Sequence, residues 1–306
     1  MRLRVDRSYI EGMPITLHTP TPASLADVVD AVATWQVEGA PVQLHSGDLG
    51  WAWRFGADKL AGELRVWRRD GEVLAAGMVD HDDGVMRLAI SPAVDADEEF
   101  AAQVVDDLTD PARGVLPEGR ASVEARAGTA LRARLDSEGW TADEPWTPLH
   151  RSLATPVEDC GLRIASLDAD HADEQVVQDR VAVNLASFPT STFTVERWRT
   201  MAATPAYRSA RCLVAYDDAD HAVAMTTVWS AGRGRPGLIE PLGAHRDFRG
   251  HGHGRAITIA AAAALREMGA SSATVCTPAA NVGGVAAYVS AGFTRQPDST
   301  DFRRPA

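Results

Sequence analysis

The 306-residue chain has little cysteine and almost no lysine. Its three cysteines, Cys160, Cys212 and Cys276, contain no Cys-x-x-Cys pair. This scarcity disfavours both a structural zinc site and a disulfide framework, and it favours a reducing compartment. No apolar run reaches the ~18 residues that a transmembrane helix needs, and residues 1–12 lack the apolar segment of a signal peptide. We therefore expect a cytoplasmic protein with no membrane partner.

Basic side chains are outnumbered by acidic ones, 30 to 42, which gives a formal net charge of −12. Proteins that bind nucleic acids neutralise phosphates, so this balance disfavours nucleic acid as a partner. Residues 1–155 carry 26 acidic and 15 basic side chains, whereas residues 156–306 carry 16 and 15. A surface field of one sign can gather ligands of the opposite sign, which favours a cationic small molecule. Solubility alone would explain the same asymmetry.

One stretch of the second half is predicted to form a strand, a glycine-rich turn and a helix. Residues 238–244 are mostly apolar around Glu240 and are typical of a strand. Residues 249–254 read Arg-Gly-His-Gly-His-Gly and predict a turn. Residues 255–268 are rich in alanine, leucine and isoleucine, and they predict a helix.

This turn has the composition of an anion-binding loop. Gly250, Gly252 and Gly254 leave the backbone N–H groups open to a ligand, and the following helix adds free donors at its N-terminus. Arg249 and Arg255 lie on either side and can pair with phosphate oxygens. The spacing fits neither a Walker A loop, which needs a lysine at its end, nor the G-x-G-x-x-G dinucleotide fingerprint.

The pattern that does fit is R-x-x-G-x-G, formed by Arg249, Gly252 and Gly254. A predicted strand at 273–276 follows, then Asn281, a helical stretch that contains Tyr288, and a Gly-Phe pair at 292–293. This order resembles the acetyl-CoA pyrophosphate loop and the C-terminal half of the GNAT superfamily of N-acetyltransferases. The resemblance is good from about Gly161 onward and faint in the first half.

The resemblance implies an α/β (α+β) fold with two tandem GNAT-like domains, each a mixed, mostly antiparallel central sheet flanked by helices. An offset of 153 residues places residues 290–293, Ser-Ala-Gly-Phe, on residues 137–140, Ser-Glu-Gly-Trp, which supports a repeat. A chance match is the alternative. We predict a degenerate domain at 1–155 and a catalytic domain at 156–306. Residues 95–99 hold four carboxylates at the position of the glycine loop, so the first domain is expected to lack cofactor binding.

The same resemblance assigns residues to acetyl-CoA. The backbone of Leu242, Gly243 and Ala244 would lie along the pantetheine arm, on a strand that diverges from its neighbour. The loop itself would hold the pyrophosphate, through Arg249, Gly250, His251, Gly252, His253, Gly254 and Arg255. Asn281 would bond the cofactor, cap the helix that follows it, or do both.

Two further residues are candidates for catalysis. In the family a tyrosine at the position of Tyr288 protonates the departing thiolate of CoA, which suits a phenol with a pKa near ~10. Glu240 could take the proton of the attacking ammonium. Tyr288 could instead be a core aromatic residue, and Glu240 a structural or substrate-anchoring carboxylate. No metal is expected, because His251 and His253 have no nearby carboxylates, and Cys276 is expected to be a core thiol.

These assignments predict an acetyl-CoA-dependent N-acetyltransferase that acts on a primary amine of a small molecule. The amine would attack the thioester directly in a ternary complex. The alternative is an acyl-CoA-binding sensor or scaffold without turnover. The chain is expected to be a monomer or a homodimer.

Overall fold

The computed structural model describes residues 14–305. In the first half the elements are β1 (Thr16–His18), α1 (Leu25–Thr34), α2 (Ser46–Ala52), α3 (Ala57–Glu63), β2 (Leu64–Arg69), β3 (Glu72–Asp80), β4 (Val85–Ile90), α4 (Glu98–Thr109), β5 (Ser122–Glu124), α5 (Thr129–Ser137) and β6 (Thr141–Ser152). In the second half they are β7 (Arg163–Leu167), α6 (Glu174–Ser187), α7 (Val195–Ala202), β8 (Ala210–Tyr216), β9 (Ala222–Trp229), β10 (Gly237–Ala244), α8 (His253–Glu267), β11 (Ser272–Pro278), α9 (Val282–Ser290), β12 (Thr294–Arg295) and β13 (Ser299–Arg303). The predicted absence of a signal segment concerns residues 1–12, which lie outside this range.

The two halves repeat one order of elements. From β4 to β6 the chain forms a strand, a 3₁₀ turn, a helix, a strand, a helix and a strand, with one additional 3₁₀ turn (Pro111–Arg113) before β5. The same order runs from β10 to β12 without the additional turn, and β13 follows. Helices α5 and α9 begin at residues 129 and 282 and end at 137 and 290, so both ends are 153 residues apart. The predicted tandem arrangement is therefore confirmed, and the 153-residue offset holds for these helices.

All but one of the strands join edge to edge into a single large sheet, and the two halves exchange strands within it. The order is β1-β2-β3-β4-β5-β13-β6-β11-β10-β9-β8-β7, with β12 paired to β6. Strand β6 of the first half pairs with β11 of the second along residues 272–278. Strand β13 of the second half lies between β5 and β6 of the first. This exchange of strands was not predicted from the sequence. It makes each half of the chain depend on the other for a strand.

Helices cover both faces of the sheet in each half. In the first half α4 and α5 pack on one face around Phe100, and α1, α2 and α3 pack on the other around Leu25. In the second half α8 and α9 pack around Ile257. The opposite face carries α6 and α7, around Trp198 and Trp229. In each half, these two helical layers bury the apolar side chains of the strands.

Within residues 14–305, no helix combines the length and the hydrophobicity needed to cross a membrane. The same residues hold no group of three or more His, Cys, Asp or Glu side chains arranged to bind a metal ion.

Candidate active site

Strands β10 and β11 run parallel but separate after a short contact. They pair only at Gly237–Ala273 and Leu238–Thr274. On its other side β10 stays paired with β9 as far as Ala244, with a register shift between Ile239 and Leu242. From Glu240 onward, the edge of β10 that faces β11 therefore has no strand partner among residues 14–305. The divergence expected for this strand is present.

The glycine loop follows β10 and leads into α8. Gly250 and Gly252 have φ angles of +86° and +83°, which side chains with a Cβ rarely adopt. A Cβ on either glycine would meet no atom within 4 Å. Among the described residues, the backbone N–H groups of residues 250–255 form no backbone hydrogen bond. Six free donors at the start of a 15-residue helix make a cradle for an anion.

A cavity of about 510 Å³ lies between this loop, the free end of β10 and the N-terminus of α9. Its lining includes nine of the eleven residues assigned to the cofactor, namely Leu242, Gly243, Ala244, Arg249, Gly250, Gly252, His253, Gly254 and Asn281. Gly243 approaches α6 so closely that a Cβ there would lie 2.6 Å from the Cβ of Ser187. The structure therefore places most of the residues predicted to bind the cofactor around one cavity, and their role in binding stays a prediction.

The remaining two cofactor candidates lie beside the cavity. The Nε of Arg255 donates to the carbonyl of Ser290 at 2.9 Å, so this side chain ties α8 to the end of α9. The ring of His251 stacks on that of His253, with centroids 5.8 Å apart. Burial lowers the pKa of His253, and the charge of His251 lowers it further. The His253 ring beside the loop therefore favours its neutral form.

Asn281 caps α9, which is one of the two roles predicted for it. Its Oδ1 accepts from the N–H of Gly284 at 3.1 Å, which caps α9, and its Nδ2 donates to Thr277 at 2.9 Å. Because the residue also lines the cavity, the capped end of α9 faces the same space as the glycine loop. A role for Asn281 in cofactor binding stays a prediction.

Glu240 lies where β10 leaves its partner, and its side chain keeps partial contact with solvent. Burial and the negative charge of Asp48 raise the pKa of Glu240 to about 7, while Arg87 and Arg54 oppose the shift. Arg87 also bridges Asp48, at 2.9 Å, and Glu124, at 3.3 Å. Glu240 can therefore gain or release a proton near neutral pH.

Tyr288 projects from α9 into the apolar core of the second half and is 8% exposed. Its ring lies 5.9 Å from that of Phe293. Burial raises the pKa of Tyr288, and the charge of Glu240 raises it further, so the phenol stays protonated at pH 7. Its neighbour Ala287 lines the cavity.

The sequence analysis missed the contribution of the first half. Helix α2 packs on the face of the second-half sheet that bears Glu240. A Cβ on Gly47 or Gly50 would lie 2.4 or 2.3 Å from the Trp229 side chain, so only glycine allows this contact. The Nε1 of Trp229 in turn donates to the carbonyl of Glu240 at 2.7 Å. The pair of glycines three residues apart was the one available signal of a close approach.

The loop of the first half that corresponds to the glycine loop is filled by its own carboxylates. Asp97 caps α4 by accepting from Phe100 N–H at 2.9 Å, and it pairs with Arg69 at the same distance. Asp95 accepts from the hydroxyl of Thr129 at 2.7 Å. An internal anion therefore occupies the helix N-terminus at which the second half keeps free donors.

Comparison with known proteins agrees with this geometry. Residues 174–293 match the model of the acetyltransferase (GNAT) family. A search of curated proteins found no significant match. The fold is similar to that of a tandem GNAT protein from the clavulanic acid biosynthesis pathway, with 14% identity, 95% of this chain and 98% of that chain covered, and a TM-score of 0.59. A GNAT-family acetyltransferase from Colwellia psychrerythraea shares 14% identity over 95% and 99% of the two chains, with a TM-score of 0.58. A GCN5-related N-acetyltransferase from Sphaerobacter thermophilus shares 18% over 95% and 96%, with a TM-score of 0.53. The second half of the chain thus carries an acetyltransferase domain of the GNAT family, within a tandem GNAT-like fold.

Proposed function

We propose that the protein is an acetyl-CoA-dependent N-acetyltransferase that transfers an acetyl group to a primary amine of a small molecule. The catalytic residues belong to residues 156–306, and residues 1–155 form a degenerate domain without a cofactor loop. The observation that carries the proposal is the position of Glu240. This residue has a carboxyl group with a pKa near 7, and it lies two residues before the point where β10 begins to line the cavity.

The residues around the cavity fit acetyl-CoA, the donor used by this family. The free N–H groups of residues 250–255 would hold the pyrophosphate, since they point a positive dipole end at open space. The unpaired edge of Leu242, Gly243 and Ala244 would hold the pantetheine arm through backbone hydrogen bonds. Bound in this way, acetyl-CoA would supply the thioester that the amine attacks.

Glu240 would act as the general base. An amine arrives as an ammonium and must lose a proton before it can attack a carbonyl carbon. A carboxylate with a pKa near 7 accepts that proton more readily than one with an ordinary pKa of ~4.3, because its pKa is closer to that of the ammonium. Asp48 of the first half raises this pKa, so the degenerate domain would help to tune the base.

Tyr288 would act as the general acid. The thiolate of CoA must gain a proton as the C–S bond breaks, and a buried phenol that stays protonated can donate one. The low exposure of Tyr288 is consistent with a donor that is shielded from water.

A small acceptor is favoured by the cover over Glu240. Helix α2 and the 3₁₀ turn Trp53–Phe55 lie on the face of the sheet that bears this carboxylate. A folded protein surface would have to displace these elements to reach Glu240, whereas a small amine would not.

The alternative is a sensor that binds acyl-CoA without turnover. A sensor has no use for a carboxylate held near neutral pKa beside the cofactor cavity. The deciding experiment is a screen of small amines with acetyl-CoA, read by release of the CoA thiol, on wild type and Glu240→Gln. Turnover that depends on an amine and is lost in Glu240→Gln supports the proposal. Tight acetyl-CoA binding with no turnover on any amine would favour the sensor.

A further inference from the structure

Three arginines crowd the face of the sheet in front of Glu240. Arg54 belongs to the 3₁₀ turn that follows α2, Arg180 lies on α6 and Arg197 lies on α7. Within residues 14–305, none of the three forms an ion pair with a carboxylate, although many surface arginines of the chain do. The two halves of the chain thus place an excess of positive charge at this site.

The guanidinium groups keep hydrogen-bond donors unused. Arg180 is fully buried, and its Nε and Nη2 bond Cys212 at 3.2 Å and Thr227 at 2.9 Å, but its Nη1 has no partner. Arg54 donates from Nη1 to the carbonyl of Trp51 at 2.6 Å and forms no other hydrogen bond with the described residues. A buried guanidinium nitrogen without an acceptor is costly, which points to an acceptor supplied from outside the chain.

Aromatic rings hold these arginines in place by their flat faces. Trp51 stacks on Phe193, with centroids 5.2 Å apart. The guanidinium carbon of Arg54 lies 3.9 Å from the Trp51 ring centroid, and that of Arg180 lies 4.4 Å from Phe193. A guanidinium stacked on a ring presents its N–H edge, which is the edge that binds carboxylates and phosphates.

Arg197 joins the same group through a third ring. Its guanidinium carbon lies 4.8 Å from the centroid of Phe55, and that of Arg54 lies 4.2 Å from the same centroid. Arg54 and Arg197 are both partly exposed, so a ligand can reach them.

The charges of Arg180 and Arg197 affect the pKa of Arg54. Burial lowers the pKa of Arg54 to about 9, Glu240 opposes this shift, and Arg180 and Arg197 add to it. The carboxylates of Glu240 and Glu63 therefore act on a group of three cations. A bound anion would relieve the repulsion among them.

We propose that this arginine cluster binds an anionic group of the acceptor, a carboxylate or a phosphate, while the acceptor amine lies against Glu240. The proposal rests on the N-acetyltransferase function proposed above and names its substrate class. The acidic first half favoured a cationic acceptor, but the residues at the site favour an amine that also carries a negative group. The ring of Trp51 would contact the apolar part between the two groups.

The first test compares amines in matched pairs. 4-Aminobutyrate is paired with butylamine, O-phosphoethanolamine with ethanolamine, and amino acids with their amides. Wild type is expected to favour the anionic member of at least one pair by about 10- to 100-fold in kcat/KM, the range of a lost charge-assisted hydrogen bond. Arg197→Gln should reduce that preference to a few-fold. Arg199→Gln is the matched control, because Arg199 lies on the same helix and pairs with Glu174 at the surface.

A wild type that uses the neutral member of every pair as well as the anionic member would overturn the proposal and leave the acetyltransferase function standing. A preference that survives both Arg197→Gln and Arg54→Gln would also overturn it. Melting curves show whether each variant is folded. If Arg54→Gln does not fold, Arg197→Gln decides the result, since its side chain is partly exposed.

The second test does not depend on turnover, so the two proposals can fail separately. Glutarate and inorganic phosphate are titrated into the full-length protein while tryptophan fluorescence is recorded. A saturable change that Trp51→Phe abolishes and Arg197→Gln weakens at least tenfold supports the anion subsite. No saturable change with either probe refutes the subsite, whether or not an amine is acetylated. Anion binding without turnover on any amine would retain the subsite and refute the acetyltransferase.

Discussion

Replacement of Glu240 by glutamine is expected to lower activity and raise stability at the same time. The pKa of Glu240 is about 7, so the base is mostly ionised at pH 8 and about one-tenth ionised at pH 6. The kcat/KM of wild type should therefore rise about tenfold per pH unit below pH 7 and level off above it. Glu240→Gln should lose that limb of the profile and about 10²-fold or more in rate.

The effect on stability follows from the same shift. A carboxyl group whose pKa is higher in the folded state than in the unfolded chain binds its proton more tightly when folded. Its contribution to stability is present below the unfolded pKa, here 4.5, and is lost as the pH rises through about 7. At ~1.4 kcal/mol per pKa unit, the loss is up to ~3 kcal/mol at pH 8. Glutamine keeps the shape and cannot ionise, so it avoids this loss.

The assay is urea unfolding of wild type and Glu240→Gln at pH 4.5 and pH 8. The difference between their free energies of unfolding should shift in favour of Glu240→Gln by ~2–3 kcal/mol between the two values. Glu267→Gln is the control, because this exposed carboxylate pairs with Arg211 at the surface and should shift by less than ~1 kcal/mol. The same shift in both variants, or none in Glu240→Gln, would refute the reasoning, and Glu240 would then have an ordinary pKa.

Three further changes test other parts of the site. Tyr288→Phe should lower kcat by ~10²–10⁴-fold, while the binding free energy of acetyl-CoA, measured by calorimetry, changes by no more than ~1 kcal/mol. If turnover stays nearly full, Tyr288 is a core residue only. Gly252→Asp should abolish acetyl-CoA binding, because a charged side chain would enter the space over the free N–H groups; retained affinity would place the pyrophosphate elsewhere. Gly50→Ala should destabilise the protein by ~1–3 kcal/mol through its clash with Trp229, whereas Gly62→Ala, which meets no atom, should not, and equal melting temperatures would contradict the packing of α2.

The sequence predicted the parts of the site that are local. Gly250, Gly252 and Gly254 identified the loop because their spacing is a backbone requirement that no distant residue can change. Glu240 and its strand come shortly before the loop in the sequence, so their place near the cavity was also predictable.

The parts that were missed depend on contacts between distant segments. Arg54 and Arg180 are 126 positions apart, and neither has a neighbour in sequence that marks it as part of a site. Asp48 acts on Glu240 only because α2 packs across the sheet of the other half. The strand exchange was likewise not predicted, because the strands that pair across the two halves lie far apart in the sequence.

The exchange of β6 and β13 has a consequence for how the chain folds. Strand β5 gains its second neighbour only from residues 299–303, so the first half cannot complete its part of the sheet before the second half has been made. For the same reason, a protease cut in the segment 154–160 should yield two fragments that remain associated, because each sheet borrows a strand from the other fragment.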